Sequence, residues 1–383
     1  MRNWYHIPVL RRGTGDRESR PVGDPPAYGS GRWKAPVLLL VTCLASPGEA
    51  RETRLPALAF ASIEQGREVL TQRDAFIQRL SPFDRAARMQ TDQEVSEERF
   101  LAFVADSVRA WTDLESERIR QAYAGLRPEL RRLSIPLPEE ILMITTSGKE
   151  EGGAAYTRGT AIILPAHRLS ASEATLQKII AHELFHLLSR NNPKMKTSLY
   201  ALIGFRPCKE LAFPPLLAAR KITNPDAPVN DHCIRVTLRG KATWVMPILH
   251  ARTERYDPAS GGLFFSYLRF SLLAVDLQDD VPVYTAGAPL LVDVKQAKGF
   301  FDQVGRNTQY IIHPEEILAD NFALMILGEH ELKSPALLQK MRKLLLRPLQ
   351  GRRLTRRPDA RDDEDGEYDG DNKERRDANG EQR

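Results

Sequence analysis

Cysteine is scarce in this chain, with three in 383 residues. That excludes a small disulfide-dense scaffold. Neither Cys208 nor Cys233 stands at metal-ligand spacing, and Cys43 falls in an N-terminal leader, so a thiolate metal site is excluded too. Charge of one sign is also missing. The balance of 55 basic and 50 acidic side chains leaves +5, and residues 1–34, with seven basic and three acidic groups, carry +4 of it. The remainder is nearly neutral and offers no basic footprint for nucleic acid. Long apolar runs are absent: residues 35–45, APVLLLVTCLA, are too few to span a membrane. There are no internal repeats. Hydrophobic residues make up 42%, ordinary for a globular protein, and the length allows one to three domains with a sizeable core.

Against that plain background one pattern stands out, His182-Glu183-Leu184-Phe185-His186, an H-E-x-x-H sequence. On a helix, residues four apart share a face, so His182 and His186 can bind one zinc ion through imidazole nitrogen. Glu183 lies about 100° round from His182, near enough to act as general base on a zinc-bound water. A chance match is expected roughly once in a hundred such chains. Ser170-Ala171-Ser172-Glu173 fits a capping box and predicts a helix beginning near Ala171, and Asn191-Asn192-Pro193 gives its stop. Leu176, Ile179, Ile180, Leu184, Phe185, Leu187 and Leu188 make it apolar nearly all round, as in a buried helix. Polar groups on such a helix need partners or cost several kcal/mol. The plain alternative is a pair of core histidines hydrogen-bonded to neighbours.

A third ligand is expected from the run His313-Pro314-Glu315-Glu316-Ile317-Leu318-Ala319-Asp320. Pro314 suits the first turn of a helix. Glu316 and Asp320 are four apart and face one way, so Glu316 can ligate zinc while Asp320 receives the outer N–H of a ligand histidine. Glu315 is the competing ligand, and two solvated carboxylates are the plain alternative.

With these residues in view the chain resembles the gluzincins, the thermolysin-like zinc metallopeptidases. The likeness rests on His182, Glu183 and His186, then Glu316 and Asp320, and covers roughly residues 140–330. No third histidine follows at the short metzincin spacing. The two motifs are far apart for the group, which implies an insertion. The resemblance implies an α+β fold. Its zincin-like core would combine a mixed sheet, the H-E-x-x-H helix and a second ligand helix, beside a helical N-terminal region and an antiparallel insertion. It also implies one Zn2+ per chain on His182, His186 and Glu316, with peptide or protein as substrate. In zincins an edge strand beside the motif helix pairs with extended substrate. By that likeness residues 155–163, read as part of a single strand over 154–165, would take that role; an ordinary interior strand is the other reading.

The expected organisation is a leader and signal peptide over 1–50, a helical region over 51–138, a catalytic domain over 139–350 with an insertion at about 206–300, and a disordered charged tail over 351–383. Arg32-Trp33-Lys34 before the apolar stretch, and small residues after it, predict export to the periplasm or beyond, with no membrane insertion once the signal is removed. Cys43 sits in a poor lipoprotein box. Cys208 and Cys233 are either bridged or separately buried. In the insertion, strands are expected at Cys233–Leu238, Thr243–His250 and Leu263–Leu273. Candidate oxyanion donors are His250, Tyr256, Tyr310 and His313, with Tyr256 and His313 favoured for their positions in the insertion and beside the ligand helix. The functional expectation is a zinc metallopeptidase with Glu183 as general base. A zinc amide hydrolase acting on cell-wall peptides and an inactive zinc-stabilised binding protein are the alternatives.

Overall fold

A computed structural model describes residues 55–346; the leader, the signal, Cys43 and the charged tail lie outside the described residues. The fold is mixed α+β. Its first sheet is built from β1 (Ala57–Phe60), β2 (Val108–Arg109), β3 (Glu140–Thr146), β4 (Tyr156–Arg158) and β5 (Ala161–Pro165). The order is β1-β3-β5-β4, with β2 against the end of β3. β1 and β5 flank β3 in parallel, whereas β2 and β4 run antiparallel to their neighbours. Residues 57–60, expected as helix, are therefore a strand, and this sheet draws on chain from both sides of Pro136 and Pro138.

Four helices precede or interleave these strands: α1 (Ile63–Leu70), α2 (Pro82–Arg88), α3 (Glu97–Ser107) and α4 (Asp113–Leu130). The motif helix α5 (Glu173–Asn191) follows β5. Burial on both faces explains why β3 and β5 read as near-continuous apolar runs. Ile141, Met143, Ile162 and Leu164 pack with Ile119 and Tyr123 of α4 and with Leu176, Ile180 and Leu184 of α5. Ile144 and Ile163 point the other way, to Leu70 of α1 and to Phe100 and Val104 of α3. The alternation is the period of two that a pleated strand imposes.

Two local expectations shift. The run 154–165 is a hairpin rather than one strand. It turns at Gly159, whose φ of +57° suits a residue without Cβ. The motif helix starts at Glu173, because Ser172 and not Ser170 caps it by accepting from the backbone N–H of Thr175.

After α5 come α6 (Pro193–Ala201), β6 (Phe205–Pro207), α7 (Pro215–Ala218), β7 (His232–Leu238) and β8 (Lys241–Ala251). Then follow α8 (Phe264–Tyr267), β9 (Leu268–Asp276), β10 (Val281–Pro282), β11 (Tyr284–Thr285), β12 (Ala288–Pro289) and β13 (Leu291–Val292). Residues 264–267, expected as strand, form a helical turn. β6 to β10 make an antiparallel sheet in the order β10-β9-β8-β7-β6, with β13 on β9. Cys208 and Cys233 are joined by a disulfide, their Cα atoms 6.1 Å apart. The chain returns through α9 (Phe300–Val304) to α10 (Pro314–Ile326) and α11 (Pro335–Leu345). α10 lies against α5 through Leu184, Phe185 and Leu188 on one side and Ile317, Leu318 and Phe322 on the other, with the Phe185 and Phe322 rings 5.8 Å apart. No helix among the described residues is long and apolar enough to cross a membrane.

Candidate metal centre

The α5–α10 contact brings the polar residues of both motifs together inside an apolar shell. Pro314 opens α10, and His313 caps it by accepting from the Glu315 N–H at 3.1 Å. The first turn of α10 is thereby aimed at α5. His182 Nε2 lies 3.1 Å from Glu316 Oε2, and His186 Nε2 lies 3.7 Å from the same oxygen. Ligand atoms held around one zinc at about 2.0–2.1 Å in tetrahedral geometry stand roughly 3.3 Å apart. These three side chains therefore converge at a spacing an ion could fill, each offering one ligand atom within 4.8 Å of the others.

The outer sides of the residues are tied down. Asp320 Oδ1 meets His182 Nδ1 at 3.0 Å and also receives support from Thr308, whose hydroxyl donates to Oδ2. Glu315 Oε1 meets His186 Nδ1 at 3.0 Å. Its carboxylate accepts further from Ser189 and, at 2.5 Å, from Tyr200. Each imidazole thus has a carboxylate on Nδ1; in the neutral ring that contact keeps the proton on Nδ1 and leaves Nε2 as the atom with the free lone pair. Glu315, the competing ligand of the sequence reading, sits on the outer nitrogen of His186.

Of the buried side-chain atoms without a hydrogen-bond partner among the described residues, two lie at this site: His186 Nε2 and Glu183 Oε2. Unpaired buried polar atoms are costly, and a ligand at this site would satisfy both. A two-imidazole, one-carboxylate donor set with an adjacent free carboxylate fits zinc. The electrostatics agree. Burial draws the His182 pKa down, but Asp320 and Glu316 outweigh it and hold it well above the usual histidine range. His186 is raised to about 9, with burial overcome by Asp226, Glu316 and Glu315. Glu316 falls to about 2, because His186, His182 and Asn224 outweigh its burial. The pocket holds positive charge strongly, whether protons or a cation. Glu183 is pushed up to about 8, first by burial and then by the Asp226 carboxylate.

Sequence reasoning missed the segment 223–226. Asn224 Nδ2 donates to Glu316 Oε1 at 2.6 Å. Asp226 Oδ1 accepts from Thr157 N at 2.8 Å and Thr157 Oγ1 at 2.5 Å, and Asp226 groups with Glu183 and His186 within 4.8 Å. The flanking prolines, Pro225 and Pro228, mark only a loop. Nothing local in the sequence says where such a loop lands. β4 is an edge strand, but its Thr157 N–H already serves Asp226, so any strand added at that point must displace this carboxylate.

A cleft opens onto the site between Ala155, Ile179, His182, Glu183, Asp226 and Tyr310. Of the four candidate oxyanion donors, Tyr310 lines it, with its ring 6.3 Å from that of His182. The favoured pair is elsewhere. Tyr256 donates to the Gly262 carbonyl at 3.0 Å in a separate apolar cluster, and His313 is spent on capping α10. His250 is bound to Ser271 Oγ at 3.0 Å on β8. No protein-family model, curated protein or solved structure matches the chain.

Proposed function

We propose that this chain is an exported zinc-dependent metallopeptidase of the gluzincin kind, with a zincin-like core formed by the first sheet, α5 and α10. The observation that carries the reading is the convergence of His182 Nε2, His186 Nε2 and Glu316 Oε2 beside a buried, unpartnered Glu183 Oε2. A purely structural metal site has no use for that last atom. This favours an enzyme over an inactive binding protein. The Cys208–Cys233 bond supports an oxidising compartment, in line with the signal-like stretch before it.

His182, His186 and Glu316 would hold the ion, kept in orientation by Asp320, Glu315 and Asn224. Zinc bound there supplies Lewis acidity, lowering the pKa of a coordinated water towards about 7 and polarising the scissile carbonyl. Glu183 takes a proton from the attacking water as its oxygen bonds to the carbonyl carbon. When the C–N bond breaks, Glu183 returns that proton to the leaving amine. The products are one free carboxylate and one free amine. Of the four candidate donors, Tyr310 is the one that lines the cleft, where its hydroxyl would donate a hydrogen bond to the developing oxyanion.

The test is metal content and cleavage together. Purified protein is expected to hold one zinc per chain, to lose hydrolysis of a mixed peptide library on chelation, and to regain it with added Zn2+. Protein that binds no zinc, or cleavage indifferent to chelator, would sink the reading. Tyr310→Phe is expected to lower kcat about 10²-fold with zinc retained, the scale of losing one oxyanion donor. Unchanged kcat would remove Tyr310 from the chemistry.

A further inference from the structure

We infer that Asn224 is a positioning residue for Glu316, and that the buried Asp84–Arg88–Glu151 cluster holds in place the segment that carries Asn224. The inference rests on the zinc reading of the site and extends it to a part of the fold far away in sequence.

Asn224 belongs to no helix or strand, yet its amide meets Glu316 Oε1 at 2.6 Å. A loop residue can hold a ligand only if the loop is itself fixed. Thr223, its neighbour, is fixed on three sides. The Thr223 N–H donates to both Asp84 oxygens, at 3.2 and 3.0 Å. Its carbonyl accepts from Arg88 Nη2 at 2.9 Å, and its hydroxyl donates to the Arg79 carbonyl at 2.9 Å. Arg88 in turn grips Glu151 through Nε at 2.9 Å and Nη2 at 3.1 Å, and Asp84 through Nη1 at 2.5 Å. On the far side the Asp226 N–H donates to Asn224 Oδ1 at 3.0 Å. That bond settles the amide orientation: with Oδ1 occupied as acceptor, Nδ2 faces Glu316.

The side chains of Asp84, Arg88 and Glu151 are at most 5% exposed. A buried ion cluster is a poor device for stability, since well-packed apolar residues of similar volume often serve as well or better. This one ends on the N–H and C=O of a single loop residue next to the metal ligands. Placement is the use that its geometry fits. The consequence at the site is that Glu316 has one oxygen held by Asn224 and the other left for the ion. A carboxylate so divided would offer an ion one atom.

The experiment compares Asn224→Ala and Asn224→Asp with wild type in full-length protein. Asp matches Asn in shape, but its ionised carboxylate cannot donate to Glu316. Zinc affinity is read by chelator competition, the metal-free unfolding temperature by a thermal scan, and the coordination sphere by the visible spectrum of Co2+-loaded protein. Both variants are expected to weaken zinc binding about 10–100-fold, the usual effect of losing a bond behind a ligand. The metal-free unfolding temperature should stay within a few degrees, and the Co2+ spectrum should change. Wild-type zinc affinity in both variants overturns the inference. So does a fall in metal-free unfolding temperature that accounts for the lost affinity, which would make Asn224 merely structural. If wild type itself takes up no zinc, the metal reading fails first, and the inference falls with it.

Discussion

Glu183→Gln is expected to leave zinc in place and to lower peptide hydrolysis about 10²–10⁴-fold, the usual contribution of a general base. Glutamine keeps the size of the side chain and some of its hydrogen bonding but cannot take a proton. Glu183 is buried on α5, and one carboxylate oxygen has no partner in the protein. It is outside the proposed His182, His186 and Glu316 ligand set, although it also stands within 4.8 Å of His186 and Asp226 in a second group, so zinc retained in the variant is the result that keeps it out of the ligand set. Burial and Asp226 raise its pKa to about 8. A divalent cation nearby pulls it down again, towards the range in which a base works at neutral pH. The measurement is zinc content beside cleavage rate, with circular dichroism as the check on folding. Cleavage unchanged in the variant would reject the mechanism, whatever the metal content.

The parts of this arrangement that could be read from sequence are those set by helical spacing. His182 and His186 share a face of α5 because they are four apart, and Glu316 and Asp320 share one of α10 for the same reason. Apolar periodicity and caps placed both helices to within a few residues. Ser170 was a plausible cap, but Ser172 competes for the same role two residues on, and only geometry decides between them. The run 154–165 looks like a single strand in sequence because β-branched residues continue through the turn and Gly159 is its one signal. β1 is hidden in the helical region because four residues, ALAF, have no period of their own.

Loop partners were out of reach for a different reason. Asn224 and Asp226 act through contacts with α10 and β4, 92 and 69 residues away in sequence. No local pattern encodes such pairs. The same holds for Arg88 with Glu151, 63 residues apart. Tyr310 had no signal beyond its residue type, and position beside a ligand helix favoured His313 instead. The structure gives His313 a capping duty, with burial drawing its pKa down to about 3, so it stays neutral and accepts from the Glu315 N–H.

Glu315 and Glu316 are adjacent, equally buried and both bonded to motif histidines, so their exchange for glutamine separates ligand from support. Glu316→Gln replaces the proposed charged ligand by a poor neutral one at the point where both Nε2 atoms converge. It is expected to strip zinc at ordinary chelator concentrations and to abolish hydrolysis with it. Glu315→Gln acts one step removed. Its carboxylate holds His186 Nδ1 and accepts from Ser189 and Tyr200, and an amide can keep part of that pattern through its carbonyl oxygen. The variant is expected to bind zinc about 10–100-fold more weakly and to stay active when the metal is supplied in excess. Zinc titration of both proteins, followed by cleavage assays at saturating metal, gives the comparison. If Glu315→Gln loses zinc outright while Glu316→Gln retains it, the ligand assignment is reversed, and His186 would have to turn its Nδ1 towards the ion.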